Sequence, residues 1–174
     1  ILQRINRKVF KDPAAVMSNM KVVTDHAHRR IEEEAGEADR IWQLPRVIPT
    51  KGGGDYVVDE NGEYWRALSL IASTTSYEKV SVPEHALEAG RVLGHFQRII
   101  SDFPIDELED TLPGFHMAQA YLGQYDEVLK SDGVNQRLSA SSEATRLSRF
   151  VEGRRDFVGI LETALSAGEL QLRP

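Results

Sequence analysis

Five histidines, a run of three glycines, a Ser-x-Pro and two acidic clusters are the groups of this chain that could do chemistry. His26 and His28 are two residues apart in a stretch with helical spacing. Their side chains therefore diverge by about 200° and cannot share one metal face. His85 and His95 lie ten apart on a later helical stretch and are not neighbours either. His116 follows Phe115 directly after Pro113-Gly114, at a helix start, where capping or packing is the simplest role. Gly52-Gly53-Gly54 invites a phosphate-loop reading. A phosphate loop needs its glycines between a strand and a helix N-terminus, whereas here a strand and a hairpin follow, and Gly-Lys-Ser/Thr is absent. Ser81-Val82-Pro83-Glu84-His85 resembles a sulfatase nucleophile segment but ends in His where Arg is required, and Gly-x-Ser-x-Gly does not occur. The carboxylates of residues 32–34 and 106–110 read as solvated surface. The spacing alone yields no self-contained catalytic site and no metal site.

The elements that must position these residues fall into two groups. Residues 1–5 read as a strand. Asp12-Pro13 is a helix start, with an acceptor at the N-cap and proline at the first helical position. Val16, Met20, Val23, Ala27 and Ile31 follow on one helical face, reaching about Glu34. The helix then either continues past Gly36 towards Ile41 or frays, because Glu32, Glu33 and Glu34 oppose the dipole at its C-terminus. Short strands are expected at residues 46–48, 56–58 and 64–71, with Asn61-Gly62 as a hairpin turn. After a polar connector the pattern becomes helical. Ser81 and Glu84 form a capping-box pattern. Ala86, Ala89, Leu93, Phe96 and Ile100 make an apolar stripe that Pro104 ends. A helix is expected from about residue 115 to 131, a turn at Asp132-Gly133, and one long helix from about 142 to 167 capped by Gly168. Residues 1–73 thus form a small β-rich part with one long helix, 74–80 a hinge or linker, and 81–174 a helical part.

The chain has 174 residues, 41% hydrophobic and 28% charged, enough to build a core. It has no cysteine, which excludes disulfides, thiolate metal sites and a thiol nucleophile. A net charge of −6 argues against a nucleic-acid-binding surface. No apolar run approaches the roughly 18 residues of a membrane span, and no signal-peptide pattern opens the sequence, so a cytoplasmic protein is expected. Ile1 is not Met, and Pro174 follows a strand-like 170–173, which reads as a piece cut from a longer protein.

Several stretches, taken in order, carry a family resemblance. They are Leu2-Gln3-Arg4-Ile5-Asn6 with Val9-Phe10, Asp12-Pro13, Val16-Met17 and Asn19, then Tyr64-Trp65-Arg66 leading to Tyr77-Glu78. Gly94-His95-Phe96-Gln97, Leu112-Pro113-Gly114-Phe115-His116 and Gly168-Glu169-Leu170-Gln171-Leu172-Arg173-Pro174 complete the set. Together they resemble the aminoglycoside/choline-kinase-like phosphotransferases, and within them the N-acetylhexosamine 1-kinase-like branch. The resemblance implies an α+β, partial protein-kinase-like bilobal fold: a small antiparallel sheet with one long helix, followed by a helical subdomain. It implies ATP and Mg²⁺ as cofactors of the parent enzyme and a sugar or amino sugar as substrate. Ile71, Ala72, Ser73 and Thr74 would line the adenine, Gln3 or Arg4 would approach the phosphates, and His116 would stand on the substrate side. Alternation lets only one of Gln3 and Arg4 face the cleft. Asn19 fits best as the helix partner of that cation.

The resemblance also implies what the chain lacks. The phosphate-covering hairpin belongs before Ile1. The catalytic loop, His-x-Asp with an Asn five residues after the Asp, belongs after Pro174. No His-x-Asp occurs in this sequence. A non-catalytic, kinase-shaped binding domain is the alternative function, and part of a polysaccharide-modifying enzyme a weaker one. Without its first hairpin the strand at residues 1–5 has an open edge, and such edges recruit other chains, so self-association by strand pairing is expected. The missing Asp leads to a direct expectation. The purified 174-residue chain will show no Mg-dependent sugar phosphorylation, and measurable turnover in a radiolabelled-ATP assay would overturn it.

Overall fold

A strand cannot bury its peptide groups alone, and here one strand serves all the others. A computed structural model of the protein describes residues 1–34 and 41–174, with the side chain of Asp132 outside the description. Four strands, β1 (Leu2–Arg4), β2 (Val47–Ile48), β3 (Val57–Val58) and β4 (Tyr64–Leu68), make one antiparallel sheet. β1 pairs with β4 in the register Leu2–Ala67, Gln3–Arg66 and Arg4–Trp65. β2 pairs Val47 with Leu68 and Ile48 with Ala67. β3 pairs Val57 with Trp65 and Val58 with Tyr64. Ala67 and Trp65 thus have partners on both edges, so β2 and β3 follow one another along the edge of β4 opposite β1.

The hairpin at Asn61-Gly62 forms, by a different turn from the one the dipeptide suggests. Gly62 has φ +74°, while Asn61 is not left-handed. Gly62 N–H donates to the Asp59 carbonyl at 2.9 Å. The Asp59 carboxylate accepts from the N–H groups of Asn61 and Glu63, each at 2.9 Å. A carboxylate that can satisfy two turn N–H groups favours this longer loop with a single left-handed residue.

Helix α1 (Pro13–Glu33) lies between β1 and β2 in sequence. Asp12 caps it: Oδ1 accepts from Ala14 N at 3.0 Å and Ala15 N at 3.1 Å. The helix is buried on more than the one stripe that its spacing suggests. Met17 is 1% exposed and Ala27 fully buried, while His26 and His28 are both buried although they point apart. His26 meets Asp102, and His28 Nε2 lies 3.5 Å from the Pro45 carbonyl. Chain segments on two sides of the helix produce this pattern. Whether it continues past Gly36 lies outside the described residues.

Helix α2 (Pro83–Ile99) starts without the capping box. Pro83 takes the first helical position, which makes Val82 the N-cap and leaves the Ser81 hydroxyl donating to the Lys79 carbonyl at 3.4 Å. Ala27, Ile99 and Ile100 are the buried centre where α1 meets the end of α2, with Val23, Ile31, Leu44 and Phe96 packed around it. Phe103 adds an edge-on contact to the His26 ring. A single 3-10 turn follows at Ile105–Glu107.

Residues divide into two compact units, one of 1–112 with 173–174 and one of 113–172. Residues 74–80 lie in the first unit and carry neither helix nor strand. The second unit holds α3 (Ala118–Leu129), α4 (Asp132–Ala140), α5 (Ser142–Glu152) and α6 (Ile160–Ser166). Three expectations change here. Asp132-Gly133 opens α4 instead of forming a free turn, since Asp and Gly are tolerated in a helix's first turn, where N–H groups have no intrahelical partner. The long helix of 142–167 is broken: Gly153 closes α5, a 3-10 turn spans Arg155–Phe157, and Gly159 opens α6. Glycine's low helix propensity at two sites six residues apart explains the break. Gly168, at φ +74°, ends α6 as expected. The strand-like residues 170–173 form no strand; Leu170 N–H instead bonds the Ala164 carbonyl at 3.3 Å.

The cap on α1 can be tested alone. Asp12→Ala orphans two helix N–H groups and is expected to cost about 1 kcal/mol in urea unfolding, with Asp12→Asn close to the parent. Equal stability of all three proteins would refute this role.

Candidate functional site

The register of β1 on β4 decides which candidate side chains share a face. Ile5 N–H donates to the Tyr64 carbonyl at 2.9 Å, and Leu68 N–H to the Ile1 carbonyl at 2.8 Å. Residues 1, 3 and 5 thus turn their peptide groups towards β4, and Leu2 and Arg4 turn theirs to the open edge. Side chains alternate across the sheet. Gln3, Ile5, Tyr64, Arg66 and Leu68 share one face; Leu2, Arg4, Trp65 and Ala67 share the other. The first face is the one covered by α1, because Arg66 NH1 reaches Met20 Sδ at 3.2 Å and Met17 Sδ at 4.0 Å.

Gln3 and Arg4 are therefore separated. Gln3 Oε1 accepts a hydrogen bond from Arg66 Nε at 3.2 Å on the helix-covered face. Arg4 lies on the opposite face, exposed, 4.0 Å from Glu63 Oε1. That opposite face also carries the Trp65 indole, whose N–H donates to Asp59 Oδ2 at 2.9 Å. The indole bond, reinforced by the Glu63 and Asn61 N–H groups and by Arg4, holds the Asp59 carboxyl below its usual range.

β4 ends at Leu68 and leads into the other candidate residues. Ile71 is half-buried; Ala72, Ser73 and Thr74 are exposed. Ser73 has φ +58°. His116 has φ +59°. These are the non-glycine residues with left-handed backbones among those described, and such conformations persist only where the surroundings impose them. The His116 N–H donates to the Tyr121 hydroxyl at 2.9 Å. Its ring lies 4.0 Å from that of Phe115. A left-handed His116 cannot be helical, which is why α3 begins only at Ala118.

Two features lay outside the sequence reading. Asn19 is engaged away from Gln3 and Arg4: its amide clamps the Glu109 peptide, donating to the carbonyl at 2.7 Å and accepting from the N–H at 3.0 Å. His26 joins residues 76 apart, with Nε2 3.0 Å from Asp102 Oδ1 and Nδ1 2.9 Å from Arg29 NH2. The arginine must donate to Nδ1, so Nε2 carries the proton given to Asp102. Burial pushes the Asp102 carboxyl up, but the His26 hydrogen bond and the nearby Arg30 outweigh it and hold it low. This pair borders a surface cleft of about 630 Å³ lined also by Asp25, Phe103 and Glu107. No local spacing signals a pair so far apart in sequence. Arg66 did carry a signal, since it stands in the Tyr64-Trp65-Arg66 stretch directly across from Gln3. Among the described residues, no three His, Asp or Glu side chains are placed to hold a metal ion, and no helix is long and apolar enough to cross a membrane. No protein-family model matches the sequence.

The depressed Asp59 carboxyl sets a pH dependence. Its folded value lies below the ordinary 3.8, so its contribution is complete above that value and is lost as pH falls from there through the folded one. Melting temperatures between pH 7 and pH 3 are expected to drop less for Asp59→Asn than for the parent over the acid end. Parallel curves would remove Asp59 from the account.

Proposed function

We propose that this chain is the small lobe and the early helical lobe of an ATP-dependent phosphotransferase with a protein-kinase-like bilobal fold, acting on a sugar or amino sugar in the cytoplasm. The observation that carries the reading is the arrangement around β4. A strand, one long helix and two short strands precede β4, all three strands pair with it, and it leads into an exposed segment where Ser73 is held left-handed. That is the order the family resemblance implies, with residues 71–74 as the segment beside the adenine. The phosphorylated position would be the anomeric hydroxyl of an N-acetylhexosamine.

In such a reaction the protein positions phosphates, neutralises developing charge and orients the nucleophile. Residues of this chain would supply only the first part. Ile71 offers an apolar side chain to a base, and the peptides of Ala72, Ser73 and Thr74 offer hydrogen-bonding groups along its edge. Mg²⁺, when bound, supplies charge neutralisation; we assign the nucleophile-orienting Asp to a His-x-Asp segment that this sequence does not contain, and a metal-binding Asp to a position later than that segment. The second unit supports a lobe that is incomplete by itself. None of its described side chains is buried, and Phe115, Phe150, Phe157 and Leu161 are all exposed. A kinase-shaped binding domain without catalysis is the second reading, favoured by the same lack of His-x-Asp.

The base-binding segment can be tested without turnover. Adenosine and ATP, titrated into the ¹⁵N-labelled 174-residue chain, are expected to shift the amide resonances of Ile71, Ala72, Ser73 and Thr74. No response there at millimolar adenosine would overturn the nucleotide reading.

A further inference from the structure

We propose that Arg66, with Gln3 beside it, is an oxyanion-binding point on the helix-covered face of the sheet, and that its ligand is the phosphate chain of a nucleotide. This rests on the reading above and deepens it.

The first observation is a guanidinium without a counter-charge. Three arginines are half-buried among the described residues: Arg30, Arg66 and Arg155. Arg30 pairs with Glu33 and Glu34, and Arg155 with Glu152 and Asp126. Arg66 has no carboxylate within ion-pair reach among the described residues. Its NH1 points at the thioethers of Met17 and Met20, and a thioether is a weak acceptor. A guanidinium partly removed from water, with sulfur where oxygen should be, is a poor final state for a charge. An oxyanion would complete it, and a guanidinium fork matches phosphate bidentately.

Gln3 adds donors beside the guanidinium. Gln3 gives its Oε1 to Arg66, which leaves its amide N–H groups as donors. Residues 13–24, the half of α1 that covers this face, contain no Asp or Glu; Lys21 among them is paired with Asp25, the next residue after that half. Glu63, beside Tyr64, lies 4.0 Å from Arg4, which is on the other face. Asn19, the polar residue of α1 one position before Met20, is held by the Glu109 peptide. Among the described residues, no ion pair neutralises Arg66 from within. The choice between the two β1 candidates also follows. Gln3 lies on this face but is neutral; Arg4 is charged but lies on the other. The positive charge for the phosphates comes from the neighbouring strand, one hydrogen-bonded pair across from Gln3.

Inorganic tripolyphosphate is the probe, because it carries the phosphates without the base. Calorimetry on the whole 174-residue chain is expected to show binding that weakens about tenfold in Arg66→Gln, the loss of one charge-assisted contact, and changes less than about twofold in Arg4→Gln. The Nε–H resonance of Arg66 should shift on titration of the unmodified protein, a readout independent of any variant. If Arg66→Gln does not fold, Arg66→Lys replaces it, with an expected loss of about threefold since charge is kept and the fork is lost. Unchanged tripolyphosphate affinity in the folded variant, or an unmoved Arg66 resonance, overturns the proposal and makes Arg66 a packing residue on two methionines. Adenosine shifts at residues 71–74 that survive in Arg66→Gln would show that the nucleotide reading stands apart from this one. A response to ATP but not to tripolyphosphate would also sink the phosphate point.

Discussion

The sheet of the first unit depends on one five-residue strand. β4 is the strand with partners on both edges, and β1, β2 and β3 are each paired with it. Remove its register and three strands of two or three residues are left with nothing to pair with, far below the length at which a strand holds together alone. The same strand carries Trp65 and Arg66 to opposite faces and delivers the chain to Ser73. Its position therefore controls the core beneath α1, the division of Gln3 from Arg4, and the placing of the segment after it. The Asp59 carboxylate supports this arrangement from below: it satisfies two turn N–H groups and the Trp65 indole at once.

The helix over that sheet has to serve two surfaces. Met17 and Met20 look onto the sheet, while Ala27 and His26 meet the end of α2 and the residues after it. Two neighbours explain why a helix whose spacing suggests a single apolar stripe buries histidines on either side. Asn19 and His26 then act as polar fasteners to the segment 102–109, each with partners on both of its polar atoms. Polar groups with partners on both of their polar atoms, one buried (His26) and one half-buried (Asn19), fix a packing geometry that apolar contacts alone would leave looser.

The second unit is held in another way. Arg155 bonds Asp126 on α3 and Glu152 on α5, and the Tyr125 hydroxyl donates to Ser148 at 2.9 Å. Both carboxyls are kept below their usual range, first of all by the Arg155 hydrogen bonds. Half-exposed ion pairs of this kind contribute modestly in water. With no described side chain buried, the unit has geometry supplied by polar contacts and glycine-set helix ends, and an apolar surface left over.

Much of the architecture was legible because it is local. Asp12-Pro13, Asn61-Gly62, Pro104 and Gly168 mark turns and helix ends by restricting φ or offering a nearby acceptor, and such effects act within a few residues. Alternation likewise required that Gln3 and Arg4 face opposite ways. The less legible places have physical causes too. Pro83 displaced Ser81 from the cap by one position, and two glycines inside a good apolar pattern broke a helix that the pattern alone would continue. What only the tertiary structure decided is partnership. The choice of face for Gln3 needed the register of β1 on β4, and the engagement of Asn19 with Glu109 or of His26 with Asp102 joins residues 76 to 90 apart. Side-chain type limits which bonds a residue can make, but the distance along the chain carries no information about which partner arrives; that is set when the sheet and its helix pack.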